Sequence, residues 1–115
     1  MAILVEILKS QMDELFEKYD ILLTPTMAVT AFPLGEFPTT IAGKDVNPRL
    51  GYLPFTPPFN LTGQPAASIP CGFSEEGLPV GLHIIGRKNE ETTVLHVSAA
   101  FEEAKPWDQR LPQVS

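Results

Sequence analysis

Apolar residues recur at helical spacing through the first part of the chain. Leu4, Leu8, Met12 or Leu15, Phe16 and Tyr19 fall on one stripe, with Lys9, Gln11, Asp13, Glu14, Glu17 and Lys18 between them. A stripe of that period buries one side of an α-helix. No glycine or proline interrupts it, so a helix is predicted over residues 3–19. The pattern then changes. Asp20 leads into Ile21-Leu22-Leu23-Thr24, a continuous apolar run ended by Pro25. So short a run fits a strand covered on both faces, as in a parallel sheet.

Residues 25–59 have no period. Pro25, Pro33, Pro38, Pro48, Pro54, Pro57 and Pro58 fall here with Gly35, Gly43 and Gly51. Each proline removes a backbone donor and restricts the residue before it, so regular structure is not expected. Yet Met27, Val29, Phe32, Leu34, Phe37, Ile41, Val46, Leu50, Tyr52, Leu53, Phe55 and Phe59 make the segment too apolar for a flexible linker. Long irregular segments inside compact domains often serve as lids or pocket walls. This one reads as a loop packed on other structure, not all of it supplied by this chain.

Ala66 to Ile69 is predicted as a short strand between Pro65 and Pro70, and Val80 to Ile85 as another. Gly72, Glu75-Glu76-Gly77 and Pro79 lie between them and suggest an antiparallel hairpin over 66–85. In the second strand Val80, Leu82 and Ile84 face one way, Gly81, His83 and Ile85 the other. Neither side is properly polar, so both are expected to be covered. Asn89 is the expected N-cap of a closing helix, with Glu90 and Glu91 at the positive end of its dipole. Val94, Val97, Phe101 and Ala104 form its stripe, and Pro106 stops it at about Lys105. Trp107 to Ser115 has no regular pattern.

Composition narrows the class. The chain has 115 residues, enough for one modest domain. Hydrophobic residues make up 43% and charged residues 19%, which fits a globular chain. The formal net charge of -6, from 14 acids against 8 bases, argues against a grip on nucleic acid or on an anionic membrane surface. Glu6 and Lys9 break the first apolar run, so it does not read as a secretory signal. A single cysteine, Cys71, excludes an internal disulfide and makes the cytoplasm the default compartment.

Candidate chemistry is sparse. His83 and His96 have no Cys, Asp or Glu at a metal-ligand spacing, so packed or surface histidines are expected and no metal or other cofactor. Nothing beside Cys71 would turn it into a thiolate, and it reads as a small buried hydrophobe. None of Ser10, Ser68, Ser74, Ser98 and Ser115 sits in GxSxG or near a lysine at a useful spacing. The pairs Glu75-Glu76, Glu90-Glu91 and Glu102-Glu103 read as solvated faces rather than acid/base dyads. Gly77-Leu78-Pro79-Val80-Gly81 lacks the lysine of a phosphate loop.

One stretch is far more specific. Phe59-Asn60-Leu61-Thr62-Gly63-Gln64-Pro65-Ala66-Ala67-Ser68-Ile69-Pro70-Cys71-Gly72, followed by Gly77-Leu78-Pro79-Val80-Gly81-Leu82-His83-Ile84-Ile85-Gly86, resembles the C-terminal block of the amidase signature family. Tyr19-Asp20-Ile21-Leu22-Leu23-Thr24-Pro25-Thr26 resembles an earlier strand of that family. Leu95, Ala99, Phe101-Glu102 and the stretch from Pro106-Trp107 to Pro112 resemble its last helix and terminus. The family includes aliphatic and aryl amidases and one of the subunits of glutamyl-tRNA amidotransferase. His83 departs from it, since Gln is commoner there.

The resemblance implies amide hydrolysis by a serine nucleophile, a second serine and a lysine base, with a glycine-rich oxyanion hole. No position here matches those groups, so the resemblance implies no catalytic residue in this chain. What it implies is scaffold, one edge of a large sheet with loops near the substrate tunnel. Thr26, Met27, Phe55, Phe59 and Asn60 are the substrate-pocket candidates; for Phe59 and Asn60 the competing reading is packing and loop hydrogen bonding alone.

The expected fold is α/β: a partial amidase-signature fold with a small mixed sheet of about three strands, packed by two helices and the proline-rich loop. The whole chain is expected to form a single C-terminal segment of such a domain. Its expected partner is the missing N-terminal part of that fold. Sheet faces left bare would drive homo-oligomer formation. Three readings stay open: a silent portion of an amidase, one chain of a split amidase or amidotransferase, and a stand-alone binding or structural module.

Overall fold

A long helix opens the chain and a three-stranded sheet follows it. The computed structural model describes residues 2–47, 51 and 54–106. In chain order these form α1 (Ala2–Lys18), β1 (Ile21–Pro25), β2 (Thr40–Ile41), β3 (Lys44–Asp45), α2 (Pro57–Thr62), β4 (Ala66–Phe73), β5 (Pro79–Gly86) and α3 (Glu91–Ala104). The expectations on Pro48, Leu50, Tyr52, Leu53 and the stretch from Trp107 to Ser115 lie outside the described residues.

The main sheet runs β1-β5-β4 with β5 in the centre. Both pairings are antiparallel, so among the described strands the sheet is not mixed and β1 is not a parallel strand. A hairpin makes β4 and β5 antiparallel. The connection from β1 is long enough to bring β5 back beside it in the opposite direction. The full burial expected of β1 fails at Leu23, which is 51% exposed. Its far edge has no further strand among the described residues.

Side chains on β5 alternate between two packed faces. Ile84 meets Ile69 and Val94, with Ala67, Leu82, Val97 and Phe101 around them, under α3. Ile85 meets Phe16 and Phe59, with Met12 and Leu22, under α1 and α2. Both isoleucines are fully buried, as expected of a strand without a polar face. Each contributes on the order of 2–3 kcal/mol of apolar burial.

Two short elements break the expected irregularity of 25–59. Thr40–Ile41 and Lys44–Asp45 pair across Ala42-Gly43, both with positive φ (53° and 79°). That geometry closes a two-residue hairpin turn whose twist matches the strands. Pro57 and Pro58 open α2 rather than forbid it. The first helical positions have no intrahelical N–H bond to lose, and proline's fixed φ suits them. Gly63, in the left-handed region at φ 74°, ends the helix by donating its N–H to Phe59 O.

Other boundaries shift. β4 runs through Pro70 to Phe73, because it is an edge strand and carries a register shift between Pro70 and Gly72 that absorbs the missing donor. Asn89 is not the N-cap of α3. It takes φ 67° in the preceding turn, and Glu90 occupies the cap position without a side-chain cap bond to the backbone. The short polar side chain of asparagine tolerates the left-handed region, so it serves the turn instead.

Candidate functional site

The residues of the signature-like stretch mostly secure the end of β5. Gln64 Nε2 donates to Gly86 O at 3.0 Å, and Gly86 N donates to Pro65 O at 2.9 Å. A Cβ on Gly86 would lie 2.6 Å from Val94 Cγ2, so the glycine lets α3 close onto the strand. On the other side, Arg87 Nε donates to Phe16 O at 2.8 Å, satisfying a carbonyl in the last turn of α1. Arg87 also pairs with Asp20 at 3.0 Å, but that pair is largely exposed and adds little.

Toward the other end of the same sheet face lies a polar row. The register sets Thr24 and Ser68 on either side of His83. His83 is only 4% exposed. Its Nδ1 lies 3.0 Å from Thr24 Oγ1, and its ring meets Phe59 at 5.4 Å in an edge arrangement. Burial holds its pKa below the ordinary imidazole value, because the charged ring would lose hydration. One residue pair further, Thr26 Oγ1 and Ser68 Oγ lie 2.7 Å apart. They stand over Gly81, where a Cβ would come within 2.8 Å of one oxygen and 2.9 Å of the other.

The five pocket candidates divide. Thr26 joins the hydroxyl pair. Met27 lines an open groove of about 380 Å³ with Val29, Thr30, Phe32, Pro79 and Val80, none of them ionisable. Phe55 is half-buried just before α2. Phe59 is 7% exposed and belongs to the core with Phe16 and Ile85. Asn60, its neighbour, is exposed. Sequence reading passed over Thr24, whose importance lies in facing His83. Only the β1–β5 register shows that.

No acyl-transfer constellation forms among the described residues. Ser68 meets Thr26, Ser98 Oγ donates to Val94 O, and Ser74 Oγ accepts from Leu78 N. Lys9 faces Glu6, and Lys105 donates to the backbone oxygen of Cys71. Among these residues serine, lysine and imidazole therefore never meet as nucleophile and base, which such chemistry requires within hydrogen-bond reach. Among the described residues no group of three or more His, Cys, Asp or Glu side chains gathers to hold a metal. No described helix is long and apolar enough to cross a membrane.

The sequence model of the Amidase family matches residues 2–95. The chain belongs to that family. It is 41% identical over 110 residues to the glutamyl-tRNA(Gln) amidotransferase A subunit of Thermosynechococcus vestitus, covering 94% of this chain and 21% of the relative. The corresponding protein of Thermodesulfovibrio yellowstonii is 43% identical over 108 residues, covering 92% and 21%. Among solved structures, a bacterial aryl acylamidase of the amidase signature family matches 96% of this chain and 24% of its own, with TM-score 0.82 and 34% identity. A substrate complex of 6-aminohexanoate cyclic dimer hydrolase gives TM-score 0.82 at 33% identity over 95% and 24%. This amidase-family chain thus spans about a fifth of the length of the curated relatives it matches. The family's fold is present in part, and the residues that carried the resemblance act here as its structural ties.

Proposed function

We propose that the chain is the C-terminal scaffold of an enzyme that hydrolyses a carboxamide C–N bond. On this reading the serine nucleophile, second serine and lysine base belong to polypeptide outside these 115 residues. The observation that carries it is the family match over residues 2–95 combined with Ser68, Ser74, Ser98, Lys9 and Lys105 being engaged with groups other than a catalytic partner. Without nucleophile, base and oxyanion donors, acyl transfer has no means of acceleration.

Within that enzyme Thr26 and Met27 are the pocket residues the geometry favours. Met27 lines the open groove beside β5, and Thr26 stands over Gly81 at its rim. Phe55, half-buried before α2, and Asn60, exposed on that helix, would add to a pocket wall completed by further polypeptide. Phe59 serves it from within, by fixing α2 on the sheet.

The partner is the remaining part of the amidase fold, on the same chain or on a separate one. Ile3 (76% exposed), Leu4 and Ile7 on α1, and Leu23 at the sheet edge, leave apolar surface for it. Unpartnered, that surface drives self-association into a homo-oligomer. The reading keeps the protein in the cytoplasm and away from nucleic acid and membranes, in line with its charge of -6.

Co-expression with the N-terminal portion of an amidase-family relative tests the proposal. Turnover of a simple carboxamide should appear only when both pieces are present. Assembly without turnover, for a partner whose own serines and lysine are intact, would count against it.

A further inference from the structure

His83 occupies a position where three elements meet. It sits on the central strand, its Nδ1 reaches Thr24 of β1, and Phe59 of α2 covers its ring. Thr24 Oγ1 also donates to Pro25 O at 2.9 Å. A threonine hydroxyl has one hydrogen, so with that bond made its oxygen accepts from His83 Nδ1–H. In the neutral ring this leaves Nε2 as the basic atom, where a further proton would add.

The helix above it depends on this contact. α2 has six residues and begins with two prolines. So short a helix has no stability of its own and is held by tertiary packing. That packing comes from Phe59 and Thr62, its two buried residues. α1 rests in turn on Phe59 through Phe16.

A proton on this ring would find little compensation. β1 and α2 contain no ionisable side chain, and β4 contains only Cys71. From α1 the core neighbours are Phe16 and Met12, while Lys9, Asp13 and Glu17 line the open cavity beside Phe16. On β5's own continuation Arg87, Lys88 and Glu90 line the same cavity, and Arg87 is a cation already tied to Phe16 O and Asp20. Among the described residues the imidazole is bonded to a hydroxyl and not to an acid.

We propose that His83 is an acid-sensitive latch: protonation of its ring releases α2, and with it the α1 face of the sheet, while the β4–β5–α3 side stays closed. The direction of the burial effect agrees. A ring whose folded pKa is held down contributes stability that is whole above its ordinary value. That contribution is lost as pH falls through the lower folded value. His96 lies exposed on α3, outside this contact.

Amide hydrogen exchange on the 115-residue chain, corrected for intrinsic rates, reads the latch. Between about pH 7.5 and about pH 5, protection should fall several-fold at the α2 amides of Phe59 and Gly63, which donate to Thr56 O and Phe59 O. Protection in β4, β5 and α3 should hold. His83→Gln should abolish the pH dependence and His96→Gln should leave it intact. Equal protection at both pH values in the unaltered chain, or an unchanged acid loss in His83→Gln, overturns the proposal. If His83→Gln does not fold, an NMR titration of the unaltered chain decides. Phe59 ring signals moving with the His83 titration support the latch, and Phe59 signals indifferent to it refute it.

Discussion

The two faces of β5 are built on different principles. Under α3, Ile84 is packed by Ile69, Val94, Leu82 and Phe101, with no titratable group in the cluster. Under α1 and α2, Ile85 shares its face with His83, and hydroxyls from Thr24, Thr26 and Ser68 continue the row. The first face is closed by one long helix of this chain. The second is closed by a six-residue helix and by a helix whose first turns present Ile3 and Leu4 to solvent. One face is closed within this chain, and the other leaves apolar surface open beside it.

Mutations sharpen that contrast. Ile84→Ala should be the most damaging change, at about 4 kcal/mol, since a rigid face cannot collapse into the cavity. Ile85→Ala should cost nearer to about 2 kcal/mol, because α2 can settle into the space. Urea denaturation of both variants checks the order, and the reverse order would break the contrast. Gly86→Ala follows, at about 2 kcal/mol, through the 2.6 Å encounter with Val94 Cγ2. Adding Val94→Ala should recover part of that cost if the clash is its cause, as a double-mutant cycle on thermal unfolding would show.

Smaller effects belong to the polar row. Thr24→Val keeps the shape but removes the oxygen partner of His83, leaving a buried ring nitrogen without its bond. A loss of about 1–2 kcal/mol is expected in denaturant titration. Thr26→Val breaks a hydroxyl pair whose partner Ser68 is exposed and can turn to water. Its cost should stay near about 0.5 kcal/mol by the same measurement.

Much of the architecture was legible from periodicity. α1, the β4–β5 hairpin, α3 and the double coverage of β5 follow from stripes at helical spacing and from a strand without a polar side. The family was legible from the stretch between Phe59 and Gly86. What escaped depends on non-local partners. The direction of β1 is set by where the chain returns after its long connection, which no local pattern records. α2 hid behind Pro57 and Pro58, residues that oppose a helix interior yet suit its first positions. The hairpin at Ala42-Gly43 lacked the usual Asn-Gly or Asp-Gly signal, because alanine takes the first positive-φ position. At the candidate site, Thr26 and Met27 were legible only as loop residues after a strand, and their place in a pocket is a proposal. Thr24 and Ser68 gained meaning only once the register set them beside His83.

Ammonia release from simple aliphatic and aryl carboxamides by the purified 115-residue chain alone decides whether the reactive groups lie elsewhere. No turnover above the uncatalysed rate is expected. Turnover that disappears when one of the chain's own side chains is removed, for example in Ser68→Ala, would contradict it.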